Sequence, residues 1–148
     1  MEQILIQSKN FDEARKKIRE SKGKEIIFSS DNDELNRKVM EKEPITVLLL
    51  NQKNRKDRMK QRDSGFNQVL AKIAKKNGVV LGINLDEIIT SKGKNKYEII
   101  GRIKQNIKLC NKNKLKMKFV SLEGKHTKDI HNLRALGLVL KMPTWMLN

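Results

Sequence analysis

The chain has 148 residues, 37% of them hydrophobic and 34% charged, with a formal net charge of +16. No apolar run approaches the roughly 20 residues a helix needs to cross a bilayer. The opening Met1-Glu2-Gln3-Ile4 has neither the basic segment nor the apolar stretch of a secretory leader, so the expected location is the cytoplasm and the expected organisation one domain over 1–148. The single cysteine, Cys110, excludes an internal disulfide and a cysteine-cluster metal site. On an apolar helix face it reads as an inert core thiol.

The charge is unevenly placed. Residues 1–50 carry 10 basic and 10 acidic side chains, whereas residues 51–148 carry 23 and 7 and so hold the whole excess. A surplus concentrated in one part of a chain points to a polyanionic partner, either nucleic acid or an anionic membrane surface.

In chain order, Ile4-Leu5-Ile6 reads as a first strand. Asn10, with Glu13 three residues on, opens a helix with Phe11, Ala14 and Ile18 on one face. Ile26-Ile27-Phe28 is a second strand, and Asp31 with Glu34 starts a helix carrying Leu35 and Val39. Ile45 to Leu50 is a third strand. A long connection, 51–63, leads to a helix capped by Asp63 or Ser64, with Phe66, Val69, Leu70 and Ile73 as its stripe and Asn77-Gly78 as its end. Val79 to Leu85 is a fourth strand. Ile99, Ile100, Ile103, Ile107 and Cys110 stripe the next helix. Lys118-Phe119-Val120 is a fifth strand, and Ile130, Leu133, Leu136 and Leu140 stripe a last helix that Pro143 stops.

The strands are mostly unbroken apolar runs, as in sheets buried on both faces. Strands alternating with helices make a parallel sheet with right-handed crossovers. A closed barrel of this type needs eight strands and about 250 residues. Five units predict an α/β protein with an open, curved, incomplete barrel-like sheet, with a flavodoxin-like three-layer sheet as the alternative.

In such folds ligands meet the loops at the C-terminal ends of the strands. The loop after the third strand holds Lys53, Arg55, Lys56, Arg58, Lys60 and Arg62 against Asp57 and Asp63. The loop after the fourth holds Lys92, Lys94 and Lys96, and that after the fifth Lys125, His126 and Lys128. Forked arginines, mobile lysines and helix starts along one edge suit phosphate groups. Lys75, Lys76, Lys112 and Lys114 lie at the opposite edge, so basic residues are not confined to one rim. Aromatic residues are 4% of the chain, and none reads as an exposed platform for stacking bases, which favours backbone readout of structured RNA. His126 and His131 lack the spacing of a shared metal-binding helix face. Asp86 and Glu87, after the fourth strand, have the chemistry to hold a divalent cation or, more simply, to begin a helix.

The stretch from Gln61 to Ile89, QRDSGFNQVLAKIAKKNGVVLGINLDEII, resembles the central motif of the ribonuclease P protein component 3 family. The matching parts are the turn Arg62-Asp63-Ser64-Gly65, followed by Asn67 and Gln68, then the helix through Val69-Leu70-Ala71-Lys72 and a strand with Gly82 and Leu85. Looser similarity extends over about 26–142 and closes at Leu133-Arg134-Ala135-Leu136-Gly137. The resemblance implies a barrel-like fold shortened at its N-terminus and a protein subunit of the archaeal and eukaryotic type of ribonuclease P. It implies ribonuclease P RNA, precursor tRNA, component 2 and other protein subunits as partners. Chemistry would be carried by the RNA with Mg²⁺, and no cofactor would be held by the protein. The chain departs from the family pattern at Gln68, where many archaeal members have His. It departs again at Lys128-Asp129-Ile130 and at the lone Ser121. Two readings compete with the subunit: a metal-dependent hydrolase or nuclease using Asp57, Asp63, Asp86 and Glu87, and a ribosomal-type RNA-binding protein.

Overall fold

The computed structural model describes residues 2–57, 59, 62–122 and 130–147. Five strands, β1 (Gln3–Gln7), β2 (Glu25–Ser29), β3 (Val47–Leu50), β4 (Val80–Asn84) and β5 (Met117–Val120), form one sheet in the order β1-β2-β3-β4-β5. Every neighbouring pair is parallel, with Ile6 beside Phe28, Phe28 beside Leu48, Leu48 beside Leu81 and Ile83 beside Phe119. Among the described residues β1 and β5 do not pair with each other, so the sheet stays open.

The helices are α1 (Phe11–Glu20), α2 (Asp33–Lys42), α3 (Gln68–Asn77), α4 (Leu85–Thr90), α5 (Gly93–Lys112) and α6 (Ile130–Val139). Each strand adds on the same side of the one before it. With right-handed crossovers, that constant direction puts every connecting helix on the same face. The core follows suit. One cluster joins Ile6, Phe28, Leu48, Leu81 and Ile83 to Ala14 and Ile18 of α1, Val39 and Met40 of α2, Ala71 and Ala74 of α3, and Ile99 and Ile103 of α5. A second, smaller cluster of Ile27, Val47, Leu49 and Val120 contains no helix residue. A flavodoxin-like sheet would reverse its strand order and carry helices on both faces, so the singly wound, barrel-like alternative is the one adopted.

Several local expectations hold. Asn10 Oδ1 accepts from Glu13 N at 2.8 Å and opens α1. Gly78, at φ +66, ends α3 in the left-handed region that a side chain disfavours. Other boundaries move. Asn32, not Asp31, caps α2, accepting from the amides of Glu34 and Leu35. Asn67, not Asp63 or Ser64, caps α3, because Asp63 and Ser64 are engaged in the preceding loop. Val69 is exposed rather than part of the stripe, which is formed by Leu70, Ala71 and Ala74. The strand expected to reach Leu85 stops at Asn84, whose side chain accepts from Glu87 N and starts α4, a helix the periodicity does not reveal. Ile130 is exposed, and α6 docks through Leu136, Gly137 and the following Leu140.

Candidate nucleic-acid interface

The parallel sheet places the C-terminal ends of β1 to β5 along one edge, and side-chain amides join those of β2, β3 and β4. Asn51 Nδ2, just past β3, donates to Ser29 Oγ at the end of β2 (3.1 Å). Asn84 Nδ2, at the end of β4, donates to Asn51 Oδ1 (2.9 Å). Next to Asn84, the first turn of α4 presents two carboxylates in opposite directions. Glu87 accepts from the amides of Gln52 (2.7 Å) and Lys53 (2.9 Å) in the loop after β3. Asp86 accepts from Ser121 Oγ (2.7 Å) and Leu122 N (2.9 Å) after β5. These carboxylates therefore clamp the loops on either side of β4. Among the described residues no group of three or more His, Cys, Asp or Glu lies together so as to hold a metal ion.

The loop after β3 is wrapped around one buried guanidinium. Arg102 of α5 is 1% exposed. Its Nε donates to Asp57 Oδ1 (3.0 Å), Nη1 to Gln52 O (2.8 Å) and Nη2 to Arg55 O (2.7 Å), and Glu98 Oε2 lies 3.7 Å from Nη2. Asp57 Oδ1 also accepts from Asp63 N, which closes the loop on itself. Burial pushes the Asp57 carboxyl up, but the bonds from Arg102 and Asp63 N and the charges of Arg102 and Arg62 outweigh it. Its pKa lies below the usual carboxylate value. Periodicity gives a clue to Arg102: with Asn106 it falls on the stripe of Ile99, Ile103, Ile107 and Cys110. A cation on a buried helix face requires a paired, hydrogen-bonded setting.

Arg55 is also turned inward. Its Nη1 and Nη2 donate to the two oxygens of Asp33 (3.0 and 2.9 Å), its Nε donates to Asn51 O (2.6 Å), and Asp63 lies 3.6 Å away. Burial lowers its pKa, and the bonds and charges of Asp33, Asp63 and Asp31 more than reverse that, so the net shift is upward. Gly65 at φ +76 makes the seat: a Cβ there would come within 2.5 Å of Arg55 Nη2. The turn Asp63-Ser64-Gly65 thus has a physical purpose, and Ser64 O accepts from the buried Gln52 side chain (2.9 Å). The expected free cluster of loop cations is in fact partly neutralised from within.

The remaining expected residues fall as follows. Lys53 and Lys56 are exposed at the loop surface. Arg62 lies 3.6 Å from Asp57 and over the ring of Tyr97. Lys92 and Lys94 are exposed at the start of α5, and Lys96 is half-buried. Asn67 caps α3, and Lys72 is exposed on it. Gln68 forms a reciprocal amide pair with Asn113, at 2.9 and 3.0 Å, tying α3 to the end of α5. Arg58, Lys60, Lys125, His126 and Lys128 lie outside the described residues. At the opposite edge Lys75 Nζ donates to Lys114 O (3.0 Å), and Lys114 stands over Trp145. Contrary to the expectation that no aromatic stands in the open, Tyr97 is 69% exposed. Cys110 is the inert core thiol expected: burial pushes its pKa up to about 12.

A singly wound parallel α/β sheet with a clamped loop edge and a basic C-terminal two-thirds defines a barrel-related α/β scaffold. No family model matches the chain. It is 43% identical over 51 residues to ribonuclease P protein component 3 of Methanosarcina acetivorans, a match covering 34% of this chain and 21% of that one. It is 26% identical over 111 residues to component 3 of Methanococcus maripaludis, covering 74% of this chain and 45% of the other. The chain thus aligns with less than half the length of these curated relatives. In fold it is similar to a chain in a cryo-EM structure of archaeal ribonuclease P with mature tRNA. That match has TM-score 0.77 at 19% identity and covers 97% of this chain and 62% of that one. In sequence the chain is thus distantly similar to ribonuclease P protein component 3 of these archaea.

Proposed function

We propose that this chain acts as an RNA-binding protein subunit of ribonuclease P, supporting the RNA that removes the 5′ leader of precursor tRNA. The observation that carries this reading is the 111-residue similarity to component 3, which spans 74% of this strongly basic chain. The candidate carboxylates add support: Asp57, Asp86 and Glu87 each accept bonds that hold a loop, an arrangement suited to a scaffold rather than to a nuclease. In this reading the chain is one domain over 1–148 that binds no cofactor of its own, Mg²⁺ serves the RNA, component 2 and further subunits are protein partners, and the assembly works in the cytoplasm.

Reconstitution tests it. The chain is added to ribonuclease P RNA, component 2 and precursor tRNA at limiting Mg²⁺. Accurate 5′ trimming should rise on addition of this chain and stay absent with the chain alone. Trimming by the chain alone, abolished by Asp86→Ala, would instead establish the nuclease reading.

A further inference from the structure

The clefts along the sheet edge carry mixed charge. The one between β1 and β2 is lined by Lys9 together with Glu13 and Asp31. The one between β3 and β4 is lined by Lys53 and Arg55 together with Asp31, Asp86 and Glu87. A different groove, of about 580 Å³, runs down the outside of α5. It is lined by Arg62, Tyr97, Gly101, Lys104, Gln105 and Lys108 and by Ile100, and no carboxylate is among the described residues that line it.

This groove is built rather than incidental. Tyr97, Gly101, Lys104 and Lys108 follow one another at i, i+4, i+7 and i+11, a single helix face, and the row is about 16 Å long at 1.5 Å per residue. Arg62 comes from the loop after β3 and crosses this face. Gln105 Nε2 holds its backbone carbonyl (3.0 Å) and Asp57 steadies its guanidinium. The guanidinium lies 5.6 Å from the Tyr97 ring centre. It fits because residue 101 has no side chain: a Cβ there would stand 2.6 Å from Arg62 Cζ. Neither Lys104 nor Lys108 has a carboxylate partner among the described residues.

We propose that this groove, and not the loop edge of the sheet, is where RNA is held. Arg62, Lys104 and Lys108 engage backbone phosphates, and the exposed Tyr97 ring stacks on an unpaired base beside them. Arginine supplies the forked donor and the lysines supply mobile charge, while an aromatic face accepts any base. The inference rests on the RNA-binding reading above and specifies its surface.

The full chain is titrated into fluorescently labelled precursor tRNA at several salt concentrations, with a circular-dichroism melt for each variant. Lys104→Gln with Lys108→Gln should weaken binding and lower the log–log salt slope by about two units at most. Tyr97→Ala should weaken it about tenfold with little change in slope. Gly101→Ala keeps the net charge and improves helix propensity, yet should weaken binding because it displaces Arg62. Lys53→Ala with Lys56→Ala should bind nearly as the parent chain does. If the last pair loses affinity while the groove variants, folded, keep it, the groove assignment is overturned and RNA binding stands. If the parent chain fails to bind precursor tRNA even at low salt, both the groove and the RNA-binding reading fall.

Discussion

Arg102 and Asp57 are 45 residues apart in sequence and 3.0 Å apart in space, and through this pair the long helix α5 holds the loop after β3. The same guanidinium bonds two loop carbonyls, so the loop takes its shape around a buried charge. Asp57 lies at the surface, so what removing the guanidinium costs is chiefly its bonds to those loop carbonyls, about 1–3 kcal/mol. Arg102→Ala should destabilise the protein by about that amount in urea unfolding. Arg102→Lys should recover only part, because an ammonium cannot serve three divergent acceptors with a planar fork. A change below about 1 kcal/mol for Arg102→Ala would mean that the loop does not depend on this residue.

Asp57 gives the loop a pH dependence of known sign. Its pKa in the folded protein is lowered, so the native state binds its proton less readily than the unfolded chain does. The resulting stability is fully present above the unfolded value, about 3.9, and is lost as pH falls through the lower folded value. Melting temperatures measured from pH 7 to pH 2 should fall in the acid range. The fall should be shallower in Asp57→Asn, which starts less stable at neutral pH. Superimposable acid profiles for the two proteins would remove Asp57 from the account.

Glu87 is expected to act on backbone amides rather than on a substrate. Hydrogen exchange at Gln52 and Lys53 should accelerate in Glu87→Ala, and exchange at Leu122 should accelerate in Asp86→Ala, each without effect on the other's loop. Loss of a charge-assisted bond of this kind costs about 1.5–3 kcal/mol locally, enough to raise exchange more than tenfold. Unchanged exchange at these amides would contradict the clamp geometry.

The forked pair of Arg55 with Asp33 links the loop after β3 to the first turn of α2. A double-mutant cycle with Arg55→Ala and Asp33→Ala should give a coupling of about 1 kcal/mol, modest because the Asp33 side chain is 39% exposed. Arg55→Ala alone should cost more, since Asn51 O loses its partner as well. A coupling indistinguishable from zero would mark the pair as incidental.

The sequence by itself determined the strands and most of the helices. Unbroken apolar runs such as Val47–Leu50 and 3.6-residue stripes such as Ile99-Ile103-Ile107 are local patterns that burial enforces. Five alternating units too few to close a barrel also made the open parallel sheet legible. The helix starts were less legible. Several Asx residues compete for each cap, and the choice of Asn32 over Asp31, or Asn67 over Asp63, depends on which side chains the loops have already engaged. What only the tertiary structure decided is the availability of each charge. Composition counts Arg55 and Arg102 as two more cations, but Asp33 and Asp57, brought in from 22 and 45 residues away, take both of them out of solvent. Composition likewise makes Tyr97 and Gly101 unremarkable. Only the crossing of Arg62 over α5 turns that helix face into a basic groove. Local patterning reports how much apolar surface a segment must bury. Pairing between charges depends on distances that the chain sets only once it has folded.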